Sequence, residues 1–285
     1  MSAKTVSKGI LSVAAWNTVK IMASALSAPI LARLLGTAGY GQYAYYLAII
    51  AMAWPLANLG TAHIATKYIA ERPDDFAWRS NLASFLGVVN LLAALLAGAI
   101  IASLLLASPE IGSDQLLLTI VVVGVIVLEQ GLLFSRGVLY GLHCEELITL
   151  PAACGAIVAV VLGVILSLAG LGLLGVMVGL LIANLMVAVV TLRNVTQFVK
   201  WRFHPNLLRL LPVPGMLRFG LSSILYITLS LTLYRADVIL IRHLSSDTQA
   251  GLYATAVQWS EFVWFIPMAV QAIMLQSTAP WWAGG

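Results

Sequence analysis

The 285-residue sequence predicts an all-α, polytopic membrane helix bundle: one six-helix lobe followed by the first hairpin of a second, related lobe. Three observations carry that prediction. Mean hydropathy is +0.99, 61% of residues are hydrophobic and only 9% are charged, whereas a soluble domain needs about 25% charged residues to wet its surface. Eight apolar runs are long enough to cross a bilayer as helix, which takes roughly 20 residues. A motif also occurs twice, 210 residues apart, each time closing a hydrophobic hairpin: Arg33, Leu35, Gly41, Tyr43, Ala44, and then Arg242, Leu244, Gly251, Tyr253, Ala254.

The runs are taken in order. The first, 10–35, follows Lys4 and Lys8 and carries small residues at 23–28, which imitates a signal peptide. Asn17 and Lys20 would fall inside its apolar core and the run continues past any cleavage point, so a retained helix is expected. The second run, 41–65, is interrupted by Pro55. The third and fourth are 80–107 and 115–140; the unbroken apolar stretch at 116–128 does not alternate as a barrel strand would. The fifth and sixth, 147–169 and 172–192, are rich in glycine. Gly175 and Gly179, four apart, share a helix face and read as ordinary close packing. The seventh and eighth, 214–241 and 250–279, repeat the opening hairpin, with Pro267 in the place of Pro55; Pro151 and Pro267 imply bent helices.

Short connections join these runs: 36–40, 108–114, 169–170 and 245–250 on one side, 66–79, 141–146 and 193–212 on the other. None is large enough to fold as a catalytic domain. The expected divisions are a six-helix lobe at 1–192, an interfacial linker at 193–213, and the truncated start of a second lobe at 214–285. The linker mixes Trp201, Phe203, Leu207 and Leu208 with Lys200, Arg202 and Arg209, which suits a helix lying along the inner leaflet. With a cytoplasmic N-terminus, the inner side gathers Lys4, Lys8, Lys67, Arg72, Arg79, Arg136, Arg193, Lys200, Arg202, Arg209 and Arg218, most of the fifteen Lys and Arg. That bias is the positive-inside pattern. It accounts for a pI near 9.2 without nucleic acid as a partner.

Ionisable groups in hydrocarbon are costly and mark functional candidates. Asn17, Lys20, Ser24 and Ser27, at steps of three and four, share one face of the first helix. Lys20 lies near mid-depth, where it either lines a wet cavity or pairs with a carboxylate; Glu129 in the fourth run is a reasonable partner. Glu129 and Arg136 stand seven residues apart, about 10 Å along a helix, too far for one direct pair. In the seventh run Ser223, Tyr226, Ser230 and Asp237 share a face, and Arg218 sits at its inner end. Arg33, Arg235 and Asp237 lie near the outer ends, where a gate or an ion pair between lobes is the expectation. Gln258 and Glu261 share a face in the eighth run.

Cys144 and Cys154 have no metal-ligand company, and His63, His143, His204 and His243 are scattered. There is no P-loop, H-E-x-x-H or G-x-S-x-G pattern. No enzyme activity, metal or cofactor is expected, and a membrane chain with an internal repeat is first of all a transporter candidate.

At particular residues the sequence resembles the polysaccharide (O-antigen type) flippases, in the superfamily that also holds the multidrug-and-toxin extruders and the lipid II flippases. The residues are Leu31, Ala32, Arg33, Leu34, Leu35 and Gly36, then Gly39, Tyr40, Gly41, Gln42 and Tyr43; Asn58, Leu59 and Gly60 with Thr66, Lys67, Tyr68, Ile69 and Ala70; and Arg235, Ala236 and Asp237 with Gly251, Leu252, Tyr253, Ala254, Thr255 and Ala256. The resemblance implies two six-helix lobes around a central cavity in a bacterial inner membrane. It also implies alternating access for a polyprenyl-diphosphate-linked oligosaccharide, with glycosyltransferases and a polymerase as pathway partners. Lys20, Arg136 and Arg218 would meet the diphosphate, and Asn17, Ser24, Ser223, Tyr226 and Ser230 the sugars. Members usually carry twelve or fourteen spans. The rivals are a cation-coupled drug exporter, which calls for a carboxylate-dominated cavity; a membrane-embedded glycosyltransferase or polymerase, which calls for a large catalytic loop; and an inactive scaffold, which leaves the polar stripes without a purpose.

Overall fold

The first two apolar runs lie in a single 56-residue helical stretch, α1 (Ala3–Asn58), broken into two arms at Gly36. This computed structural model describes residues 3–107, 115–201 and 213–261. Gly36 has φ 70° and ψ 174°, backbone that only glycine adopts without strain, so the turn needs no loop. A second break follows at Leu59 and Gly60, both at positive φ, and α2 (Thr61–Ala70) carries the chain onward. The expected run at 41–65 is therefore two helices. The hydropathy pattern is continuous there, and the break is made by backbone conformation.

Next comes α3 (Phe76–Leu106), started by the Asp75 carboxylate, which accepts a hydrogen bond of 2.8 Å from the Trp78 backbone N–H. It is followed by α4 (Gln115–Gly141) and α5 (Glu146–Leu166). A π-helical turn, Ser167–Leu171, and positive φ at Gly170 and Gly172 reverse the chain into α6 (Gly172–Phe198). The helix runs through the first six residues of the expected linker at 193–213; positions 202–212 of that linker lie outside the described residues. The repeated hairpin is α7 (Val213–Leu244) and α8 (Asp247–Glu261), and positions 262–285, with Pro267, lie outside the described residues as well.

Among the described residues, five continuous helical stretches are long and apolar enough to cross a membrane. They account for seven of the eight expected runs, the second only as far as Asn58, because the breaks at Gly36 and Gly170 leave one run on either side within a single stretch. The bundle's surface agrees. Leu92, Leu96, Leu104, Leu168, Leu221 and Leu233 are each at least 62% exposed, a surface that water would not tolerate and lipid does. The chain is a multi-pass membrane protein.

Inside the bundle, α3, α4, α5 and α6 pack side by side and against α1, while α7 and α8 lie on α1. Ile69, Leu82, Val138, Ile148 and Val195 form one buried cluster, near the connections 70–76 and 141–146. Ile50, Val122, Ile126 and Met177 form another between α1, α4 and α6. The α5–α6 contact is close because Gly179 faces Gly163: a Cβ at 179 would come within 2.9 Å of the Gly163 Cα. The shared face of Gly175 and Gly179 is thus a packing surface.

Candidate functional site

About three turns of the first α1 arm, part of the second arm, and α4, α5 and α6 line a half-open cavity of about 330 Å³. Lys20, Ser24 and Ser27 line it from the first arm, and Glu129 and Arg136 from α4. The three-and-four spacing on α1 thus turns one polar stripe inward, as helix periodicity requires. Seven residues of α4 place Glu129 and Arg136 about 10 Å apart along the axis, so the cavity's polar lining extends along the helix.

Glu129 is not held by Lys20, as the sequence suggested. Its carboxyl oxygens accept hydrogen bonds from Trp54 Nε1, on the second arm, and from Asn184 Nδ2, on α6, the latter at 3.3 Å. Among the described residues no direct ion pair joins it to either cation. Two neutral donors thus hold the acid, and Lys20 and Arg136 line the same cavity. Neither makes a hydrogen bond or ion pair to a described residue.

Trp54, Asn184 and Tyr43 also line the cavity, and sequence reasoning passed over all three as site residues. Asn184 carried a usable signal, since it is the one amide within 172–192. Trp54 precedes a helical proline and Tyr43 belongs to the repeated motif, but hydropathy alone scores both as apolar filling.

The other expected residues fall elsewhere. Asn17 shares the stripe but is exposed and outside the lining. Arg218 and Arg33 are exposed, near opposite ends of the bundle. On α7, Ser223 Oγ donates to the Phe219 carbonyl oxygen and Ser230 Oγ to that of Tyr226, each at 2.9 Å. Both hydroxyls are therefore used within their own helix, and Tyr226 is 74% exposed. None of the three joins the described cavity.

Among the described residues, Arg235 and Asp237 make no ion pair between the hairpins. Asp237 accepts from Tyr253 of α8, within the same hairpin. The described ion pair is Arg242 with Asp247, at 2.6 Å, and Asp247 also accepts from Gln42 Nε2 at 2.8 Å. Gln258 is engaged structurally: it accepts from Tyr40 OH at 2.8 Å and donates to the Ser24 carbonyl oxygen at 3.1 Å. No group of three or more His, Cys, Asp or Glu among the described residues has metal-site geometry.

A family model described as polysaccharide biosynthesis protein matches residues 6–282. A solved structure described as a MOP superfamily transporter from Pyrococcus furiosus Vc1 (DSM3638), whose reverse pocket polarity is taken to suggest a different function, has a similar fold. Its TM-score is 0.52 at 16% sequence identity, with 90% of this chain and 58% of that chain covered. This chain therefore spans less than two thirds of that structure's length. No curated protein matches the chain.

Proposed function

The chain belongs to the polysaccharide biosynthesis protein family, and on that premise we propose that it translocates a polyprenyl-diphosphate-linked oligosaccharide from the inner to the outer leaflet by alternating access. The carrying observation is a cavity lined by Lys20 and Arg136, neither of which makes a direct ion pair with a described residue, while Glu129 accepts hydrogen bonds from Trp54 and Asn184. A diphosphate supplies the anionic oxygens those two cations lack. Ser24 offers a hydroxyl to the adjoining sugar, whereas the Ser27 hydroxyl donates to the Ser24 carbonyl oxygen, and the polyprenyl tail stays in lipid beside the bundle.

In this reading the site is Lys20, Arg136, Ser24 and Glu129. Asn17, Arg218, Ser223, Tyr226 and Ser230 serve the route on either side of it. The membrane is a bacterial inner membrane with the N-terminus in the cytoplasm, and glycosyltransferases and a polymerase of the same pathway act before and after. Pocket polarity is the feature on which the archaeal neighbour is distinguished. Here two cations stand against one carboxyl, which favours an anionic lipid head over a cationic drug.

Undecaprenyl diphosphate added to the purified full chain, followed by native mass spectrometry, tests this reading. Undecaprenyl diphosphate should be retained over undecaprenol, and Lys20→Ala or Arg136→Ala should each weaken retention about tenfold, the value of one charge-assisted contact. Preferential retention of tetraphenylphosphonium, lost in Glu129→Gln, would instead identify a drug exporter.

A further inference from the structure

The two copies of the repeated motif meet each other. A Cβ placed on Gly41 would overlap the Asp247 carbonyl oxygen and stand 2.9 Å from the Gly251 nitrogen; one placed on Gly251 would overlap the Thr37 carbonyl oxygen and stand 3.0 Å from the Gly41 nitrogen. Thr37 precedes Gly41 by four residues, as Asp247 precedes Gly251. The contact is thus reciprocal, with each motif glycine resting on the carbonyl one turn before the other. Self-complementary contacts of this form arise where two like elements pack about a local twofold. Only glycine allows backbones to come this close.

Polar groups pin the contact. The Asp247 carboxylate takes hydrogen bonds from Gln42 of one copy and Arg242 of the other. The Arg242 guanidinium lies 3.8 Å from the Tyr45 ring centroid. Gln258 ties Tyr40 to the Ser24 carbonyl, and Ser24 lines the cavity. Leu31 and Tyr43, which line the cavity, pack in one apolar cluster with Tyr40 and Ala254 of the two motif copies. The hairpins also touch at Gly60 and Gly220, where a Cβ on Gly60 would come within 2.8 Å of the Gly220 Cα, but no side-chain hydrogen bond between described residues crosses there.

We propose that the Gly41–Gly251 seam is the closure of the cavity at the Gly36 end, with Asp247 as its pin, and that the seam parts when the cavity opens toward that side. The proposal rests on the alternating-access reading. It does not depend on which lipid or sugar is carried.

The test uses the full chain with Cys144→Ser, Cys154→Ala and a single reporter, Ser24→Cys, in sealed vesicles of known orientation. A membrane-impermeant maleimide is applied from each side in turn. From the Gly36 side labelling should be slow. Asp247→Asn, which loses the charge, and Gln42→Glu, which sets a second carboxylate against Asp247, should each raise that rate about tenfold. Gln42→Lys keeps an attractive pair and should leave the rate low. Gly251→Leu should raise it further; if that variant does not fold, Asp247→Asn and Gln42→Glu carry the test. Rates unchanged in the folded variants, or rapid labelling already present in the unsubstituted seam, overturn the proposal. Seam-dependent labelling without retention of undecaprenyl diphosphate would leave the seam standing and remove the flippase reading.

Discussion

Asn90 shows how a bundle this apolar holds polar atoms. Its Oδ1 accepts from Asn58 Nδ2 at 3.2 Å and from Thr61 Oγ1 at 2.9 Å, and its Nδ2 donates to the Gln130 carbonyl oxygen at 3.2 Å. The cluster lies at the break between α1 and α2, where the ladder of backbone bonds is interrupted and side chains must re-satisfy it. Asn90→Ala would leave several buried groups unpaired. It should lower stability by about 2 kcal/mol, the lower part of what several stranded groups cost together, read as a fall in thermal midpoint in detergent. Asn90→Asp should be at least as damaging, because it removes the donor and buries charge. The candidate site follows the same logic. Lys20, Ser24 and Glu129 were legible because ionisable and hydroxyl groups stand out against a hydrocarbon background. Trp54 was not legible, because its one polar atom matters only once folding brings α4 beside it.

Among the helices, the turn at Gly36 and the connections at 71–75 and 142–145 make separate predictions. Gly36→Ala must adopt a backbone reserved for glycine, so it should destabilise the hairpin by about 2 kcal/mol and lower the yield of folded protein. Gly39→Ala, inside the helix at ordinary φ, should cost less. On topology, cysteines placed at Ala77 and Ser113 should label from opposite sides of intact cells, Ser113 from outside. Labelling at Ala77 from outside, without Ser113, would reverse the orientation drawn from the basic residues. Cys144 must be removed first. Burial pushes its thiol above the ordinary value, so thiolate is scarce at neutral pH. Its labelling should keep rising with pH beyond the point, about 8.5, at which an exposed cysteine levels off. Helix order could be read from hydropathy, since six of the eight runs reappear with nearly their expected bounds. The Leu59–Gly60 break could not, because no loss of hydrophobicity accompanies it.

For the molecule as a whole, the repeat carried more than hydropathy did. It implied that α7 and α8 begin a second unit, but gave no hint that its glycines would face those of the first copy; that contact depends on three-dimensional closure. The gate residues chosen from span ends, Arg33, Arg235 and Asp237, were those nearest in sequence to a membrane boundary, whereas the structure joins Arg242, Asp247 and Gln42 across the hairpins. If Lys20 and Arg136 carry an anionic lipid-linked glycan through the cavity, the amount of polymer displayed at the cell surface, normalised to membrane abundance of the protein, reports it. Cells whose own copy carries Lys20→Ala should keep the protein at its usual abundance and lose at least ten-fold in displayed polymer, a loss near the worth of one charge-assisted contact, and Lys20→Arg should restore much of it. Display and abundance falling in parallel, or display unchanged at full abundance, would contradict the account.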